Sequence, residues 1–162
     1  MNTSEYKEVL ERIAQYAIEL QCLGKRIDIN DVSQPGRLRE IMIAKALGHK
    51  IHGAKHGHDA ESFPEDKIPR KYEYLTCKEG GSFHIDRVDS SNLESRIMKS
   101  DWLFCAIFDS DSPIILKEVY IVAPQRFLEE CLRKVKNSKP SSRHVSVPLS
   151  WVKNNHEVYM TY

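Results

Sequence analysis

Asp59 stands in the run His56-Gly57-His58-Asp59-Ala60, and Glu73 follows it by fourteen residues in Lys71-Tyr72-Glu73-Tyr74-Leu75-Thr76. The first acid comes after a glycine turn. The second sits among tyrosines and a threonine, which favour a pleated, half-buried surface. Side chains alternate along a strand, so Glu73 points away from Tyr72 and Tyr74. If Asp59 begins or ends the neighbouring strand, the two carboxylates meet at one edge of a small sheet. Two ionised carboxylates at close range repel, and they need a cation, a shared proton or solvent between them. Hard oxygen donors suit Mg²⁺, which takes one or two carboxylates and keeps its waters for a phosphate substrate. A cation held this way can activate water and polarise a phosphoryl oxygen. The alternative is a pair of solvated surface acids, which are common in a chain that is 29% charged.

The elements that must position this pair can be read from periodicity. Residues 3 to 23 carry Val9, Leu10, Ile13, Tyr16, Ala17 and Leu20 at helical spacing, with Thr3 or Ser4 as cap and Gly24 as stop. A second helix runs from Gly36 or Arg37 to Leu47, its apolar side made by Leu38, Ile41 and Met42, with Gly48 just beyond its end. Glu40 lies on the surface or on the flank of that helix. The stretch from His49 to His58 leads into Asp59, and residues 61 to 69 read as a loop. A strand from Arg70 to Cys77, the turn Glu79-Gly80-Gly81, a further strand or extension over 82 to 88 and a short helix over 90 to 100 follow. Trp102 to Phe108 is nearly all apolar and reads as a strand buried on both faces. Ile114 to Val122 completes a hairpin with it. Pro124 opens a helix to Lys136, Val145 to Leu149 reads as a strand, and no element is assigned after Trp151. The order implies an α/β fold: a small central mixed β-sheet flanked by helices.

The whole chain of 162 residues reads as a single domain, with the N-terminal helix and the region after residue 123 packed on a central core. No run approaches the ~18 apolar residues that span a bilayer, and no secretory leader is visible. Cys22, Cys77, Cys105 and Cys131 are spread out with no C-x-x-C pair, which reads as reduced thiols in a cytoplasmic protein. A net charge of +1 neither advertises nucleic-acid binding nor excludes it, because a binding face needs only local basic clustering.

Gly36-Arg37-Leu38-Arg39-Glu40-Ile41, Ala46-Leu47-Gly48-His49, Ala54-Lys55-His56-Gly57-His58-Asp59-Ala60 and Tyr72-Glu73-Tyr74 together resemble the core of a group of type II restriction endonucleases, members of the PD-(D/E)xK nuclease superfamily. The resemblance covers residues 36 to 123 and includes the two strands from Trp102 to Val122. It implies a Mg²⁺-dependent (or Mn²⁺-dependent) endodeoxyribonuclease acting on double-stranded DNA as a homodimer. Asp59 and Glu73 would hold the metal, with Glu40 as an accessory acid. One position departs from the pattern. The lysine expected two residues after Glu73, which aligns or deprotonates the attacking water, is Leu75. Lys71, two residues before Glu73 and on the same strand face, can supply a catalytic ammonium instead. Lys55 is a second candidate. Metal-bound water acting without a lysine and a DNA-binding protein that has lost catalysis are the further alternatives.

Other basic groups are weighed as DNA contacts. Lys55 and His56 lie in a polar loop with His49, His52 and His58, and a transition-metal site among these histidines is a minor alternative. Arg37 lies at a helix start, where backbone N–H groups favour anions. Arg143 belongs to the most basic stretch, residues 134 to 144, which could reach a groove. For each, solvated surface charge is the competing reading.

Overall fold

The apolar run Trp102–Phe108 sits inside the sheet and is covered on both faces, as its composition requires. The computed structural model describes residues 3–53, 57–63, 68–86, 88, 91–136 and 144–162. In chain order the elements are α1 (Thr3–Arg26), α2 (Pro35–Leu47), β1 (Lys50–Ile51), β2 (Ala60–Glu61), β3 (Lys71–Lys78), β4 (Ser82–Asp86), α3 (Leu93–Ile97), β5 (Trp102–Phe108), β6 (Leu116–Val122), α4 (Pro124–Lys136), β7 (His144–Pro148), α5 (Leu149–Asn155) and β8 (Val158–Thr161). Six strands form one mixed sheet in the order β1-β2-β3-β5-β6-β8. Its parallel pair is β3 with β5, in the register Tyr72↔Trp102 and Glu73↔Leu103. The remaining pairs are antiparallel. β4 and β7 pair separately as a two-stranded antiparallel sheet.

Alternation divides the strand side chains between two cores. Tyr72 and Tyr74 of β3 join Phe104, Ala106 and Phe108 of β5 under α2, against Ile43 and Ala44. Leu75 and Cys77 of β3 join Leu103, Cys105 and Ile107 on the opposite face, against Phe127, Leu128 and Cys131 of α4 and Val145 and Val147 of β7. Burying one Leu or Phe in such a core stabilises by roughly 1.5–3 kcal/mol, so a one-residue slip of β3 would exchange Tyr72 and Tyr74 for Glu73 and cost several such terms. Pro124 starts α4, where its missing N–H is no loss. The φ of +67° at Gly48 closes α2, a conformation an L side chain adopts only with strain.

The structure departs from the sequence expectations at three places. The apolar side of α1 does not pack on the core: Ile13 is 58% and Tyr16 60% exposed. Its C-terminal end is held where Gln21 Nε2 donates to the Asn30 carbonyl at 2.7 Å. β4 pairs with β7 rather than extending the main sheet. The segment after Trp151 is ordered, α5 continuing into edge strand β8. Cys22 is exposed, Cys77, Cys105 and Cys131 are buried, and all four are free thiols. Among the described residues no helix is long and apolar enough to cross a membrane.

Candidate active site

β2 is only two residues long, and its shortness creates the site. Beside it, the Asp59 N–H donates to the Tyr72 carbonyl at 2.9 Å. The chain then turns away at Gly57, whose φ is +118°. The next donor along the edge of β3, the Tyr74 N–H, is left without a strand partner. Asp59 Oδ2 accepts it at 2.8 Å. The carboxylate is thereby fixed against β3, with Glu73 between the two tyrosines whose backbone groups hold it.

Glu40 approaches from α2. Its Oε2 lies 2.5 Å from Nη1 of Arg37, one turn earlier on the helix. Arg37 Nε reaches Asp31 Oδ1 at 3.1 Å, and its Nη1 also donates to the His52 carbonyl at 3.2 Å. Arg37 is only 7% exposed. It is a buried cation that clamps the 28–34 loop, α2 and the end of β1 together. Arg37 was expected as a DNA contact; the structure instead buries it and engages its Nε and Nη1 inside the protein.

The three carboxyls oppose one another's ionisation. Burial, and then the charge of Asp59, push Glu40 up to about 7 against the pull of Arg37. Burial and then Asp59 push Glu73 up to about 7, against the pull of Lys99. Burial also raises Asp59, while the Tyr74 N–H, Lys99 and Arg37 hold it down. Buried acids that resist ionisation mark a place where positive charge is in deficit. An all-oxygen donor set of this kind fits a hard divalent cation such as Mg²⁺ or Mn²⁺, so the residues present suit the metal that the resemblance implies.

The cation beside Glu73 is one the sequence reading missed. Lys99 Nζ stands 2.9 Å from Glu73 Oε2 and also donates to the Gly57 carbonyl. Lys99 follows α3 and precedes β5, so it lies far from the Glu73 strand in sequence. The parallel pairing of β3 and β5 brings it home, because the residues before Trp102 arrive at the same sheet end as those before Tyr72. The one sequence signal was a lysine just ahead of a strand read as buried on both faces; its parallel pairing with β3 was not anticipated. Leu75, where the family pattern has lysine, is half-buried: it packs against the core on one side and lines the same cleft as Glu73 on the other.

Lys71 begins β3, pairs across to Glu61 and is exposed, and its backbone N–H donates to Asp101 Oδ2 at 2.7 Å. Glu73 takes its ion pair from Lys99 and not from Lys71. His49, read as part of a polar loop, is stacked 4.0 Å from Tyr72 and hydrogen-bonded to the Tyr74 hydroxyl at 2.8 Å. Lys55, His56 and Arg143 lie outside the described residues. Glu73 opens onto a cleft of about 210 Å³ whose other polar walls are His84, Asp86 and Arg96.

Comparison of the chain with protein-family models and with curated proteins finds no match.

Proposed function

We propose that this protein is a divalent-metal-dependent endodeoxyribonuclease that hydrolyses DNA phosphodiester bonds, in the manner of type II restriction endonucleases. The observation that carries the reading is the convergence of Asp59, Glu73 and Glu40 with Lys99 at the open edge of β3. It supports the resemblance in residues 36 to 123 because the three acids come from the segments the family pattern assigns to them. Lys99 fills the role for which position 75 has no lysine.

Asp59 and Glu73 would hold Mg²⁺ or Mn²⁺, with Glu40 as accessory ligand. When bound, the ion supplies Lewis-acid polarisation of a phosphoryl oxygen and lowers the pKa of water. The chain's own groups do the rest. The Tyr74 N–H keeps the Asp59 carboxylate from rotating. Arg37 fixes Glu40 through a charge-assisted hydrogen bond. The Lys99 ammonium, held by the Gly57 carbonyl and Glu73, is placed to orient a water or to receive the phosphate negative charge. A cytoplasmic location, double-stranded DNA as substrate and a homodimer that cuts both strands belong to the same reading.

One observation favours a second reading. An apolar Leu75 in the cleft beside Glu73, where the family pattern has lysine, suits a protein of this fold that binds DNA without cutting it. Plasmid cleavage separates the two. Wild-type protein with Mg²⁺ or Mn²⁺ should give discrete fragments, and EDTA or Asp59→Asn should abolish them. Absence of cleavage under every condition, with DNA retained equally by Asp59→Asn, establishes the second reading and refutes the first.

A further inference from the structure

β1 and β2 pair in the register Lys50↔Glu61 and Ile51↔Ala60, and the His52 N–H continues the ladder to the Asp59 carbonyl at 2.8 Å. Two consequences follow from strand geometry. Lys50 and His52 project on the side opposite to Ile51, and Glu61 joins them on that side across the pair. His58, three residues before Glu61, reaches back over the Gly57 turn to the same place. His52, His58 and Glu61 each offer one ligand atom, and these atoms all lie within 4.8 Å of one another. The His52 and His58 ring centroids are 4.9 Å apart.

Each of the two imidazoles has one buried nitrogen, while the Glu61 side chain is 32% exposed. His52 Nδ1 and His58 Nε2 are closed to solvent and have no hydrogen-bond partner. Glu61 Oε2 lies 3.6 Å from His58 Nε2. A buried polar atom without a partner costs roughly 1–3 kcal/mol, and here two such nitrogens sit on neighbouring rings beside the Glu61 carboxylate. That carboxylate is already oriented: its other oxygen, Oε1, takes Lys50 Nζ at 2.8 Å. Ligands about 2.0–2.1 Å from a tetrahedral ion stand about 3.3–3.4 Å apart, close to the 3.6 Å between His58 Nε2 and Glu61 Oε2. Imidazole nitrogens select Zn²⁺, Co²⁺ or Ni²⁺ over Mg²⁺, whereas the neighbouring set of Asp59, Glu73 and Glu40 is all oxygen.

We propose that His52, His58 and Glu61 form a second cation site, specific for a transition-metal dication, with one coordination position open to water or a ligand. The ion would bridge the end of β1 to the chain that follows the Gly57 turn, and so brace the segment that presents Asp59. The site stands independently of the nuclease reading, because a protein without nuclease activity would still bind the ion.

Titration of the full chain with Co²⁺ tests it, read by visible d–d absorption and by calorimetry. Low-symmetry coordination by nitrogen gives bands far stronger than those of an all-oxygen octahedral site. The expected result is saturable binding with intense bands, retained in Glu73→Gln. His52→Gln and His58→Gln should each weaken binding by more than the roughly 10- to 100-fold that loss of an outer-shell partner costs. Circular dichroism on each variant confirms folding, and Glu61→Gln provides a third variant if a histidine change unfolds the chain. Absence of Co²⁺ bands in folded wild-type protein overturns the proposal. So does loss of the bands in Glu73→Gln to the same degree as in His58→Gln, since that result means one shared centre.

Discussion

Replacing Glu73 with glutamine should make the metal-free protein more stable, and only at neutral to alkaline pH. Glutamine keeps the shape of the side chain and cannot ionise. The Glu73 carboxyl is raised from 4.5 to about 7 in the folded state, first by burial and then by Asp59. A raised acid binds its proton more tightly in the folded than in the unfolded chain. Stability is therefore lost as pH climbs from the unfolded value through the folded one, and the loss is complete above it. At about pH 8 the ionised carboxyl costs about 3 kcal/mol, and near pH 5 it costs less than about 1 kcal/mol. One kcal/mol moves the melting temperature of a domain of this size by roughly 2–4 °C. Glu73→Gln should therefore melt roughly 6–12 °C above wild type near pH 8 in EDTA, and within about 3 °C of it near pH 5. Millimolar Mg²⁺ should close the gap by stabilising wild type alone, by about 2.7 kcal/mol when the ion is at a hundred times its Kd. Thermal or urea unfolding at both pH values, with EDTA and with Mg²⁺, measures each quantity. A variant less stable than wild type near pH 8, or a gap of equal size at both pH values, refutes the claim that Glu73 is held against its own ionisation.

Lys99→Met should lower the cleavage rate by about 10²–10³-fold, the usual effect of removing one preorganised charge from a reacting centre. Lys71→Met should leave the rate within a few-fold of wild type, and single-turnover kinetics on the two variants assign the ammonium. Arg37→Met should destabilise the fold by about 3–5 kcal/mol, because it removes the buried cation that pairs with Glu40 and Asp31; urea unfolding measures it. In α1, Tyr6, Val9, Ile13, Tyr16, Leu20 and Leu23 recur at alternating three- and four-residue spacing, and all but the half-buried Leu20 are exposed. Sedimentation equilibrium should find concentration-dependent self-association that Ile13→Asp shifts toward the monomer; an unchanged mass would rule out α1 as the contact.

Elements with a strong local signature were legible in the sequence. Trp102–Phe108 and Pro124–Lys136 have the bounds that their apolar run and their N-terminal proline indicate. Asp59 and Glu73 were legible as a pair because a glycine turn and an alternating strand bracket them. What escaped depends on partners distant in the chain. Lys99 has no local mark, and only the β3–β5 pairing places it. Arg37 looked like a free helix-start cation because nothing in its neighbourhood shows that Asp31, Glu40 and the His52 carbonyl converge on it. His49 looked polar because its burial comes from stacking on Tyr72. β8 carries three exposed side chains among its four residues, so no alternation betrays it.

The site draws its groups from positions 40, 59, 73 and 99, and the last of these arrives through the parallel pairing of β3 with β5. Parallel pairing closes a long loop before any contact rewards it, which makes it a slow step in folding. A chain that has formed α2 and the β2–β3 edge, but not yet docked β5, holds the acids without their lysine. Competence to cut DNA would thus be the last property such a chain acquires on refolding and the first it loses on partial unfolding. If the protein is the nuclease proposed above, that order of events would confine the hazard to its own cell's DNA to the fully assembled molecule.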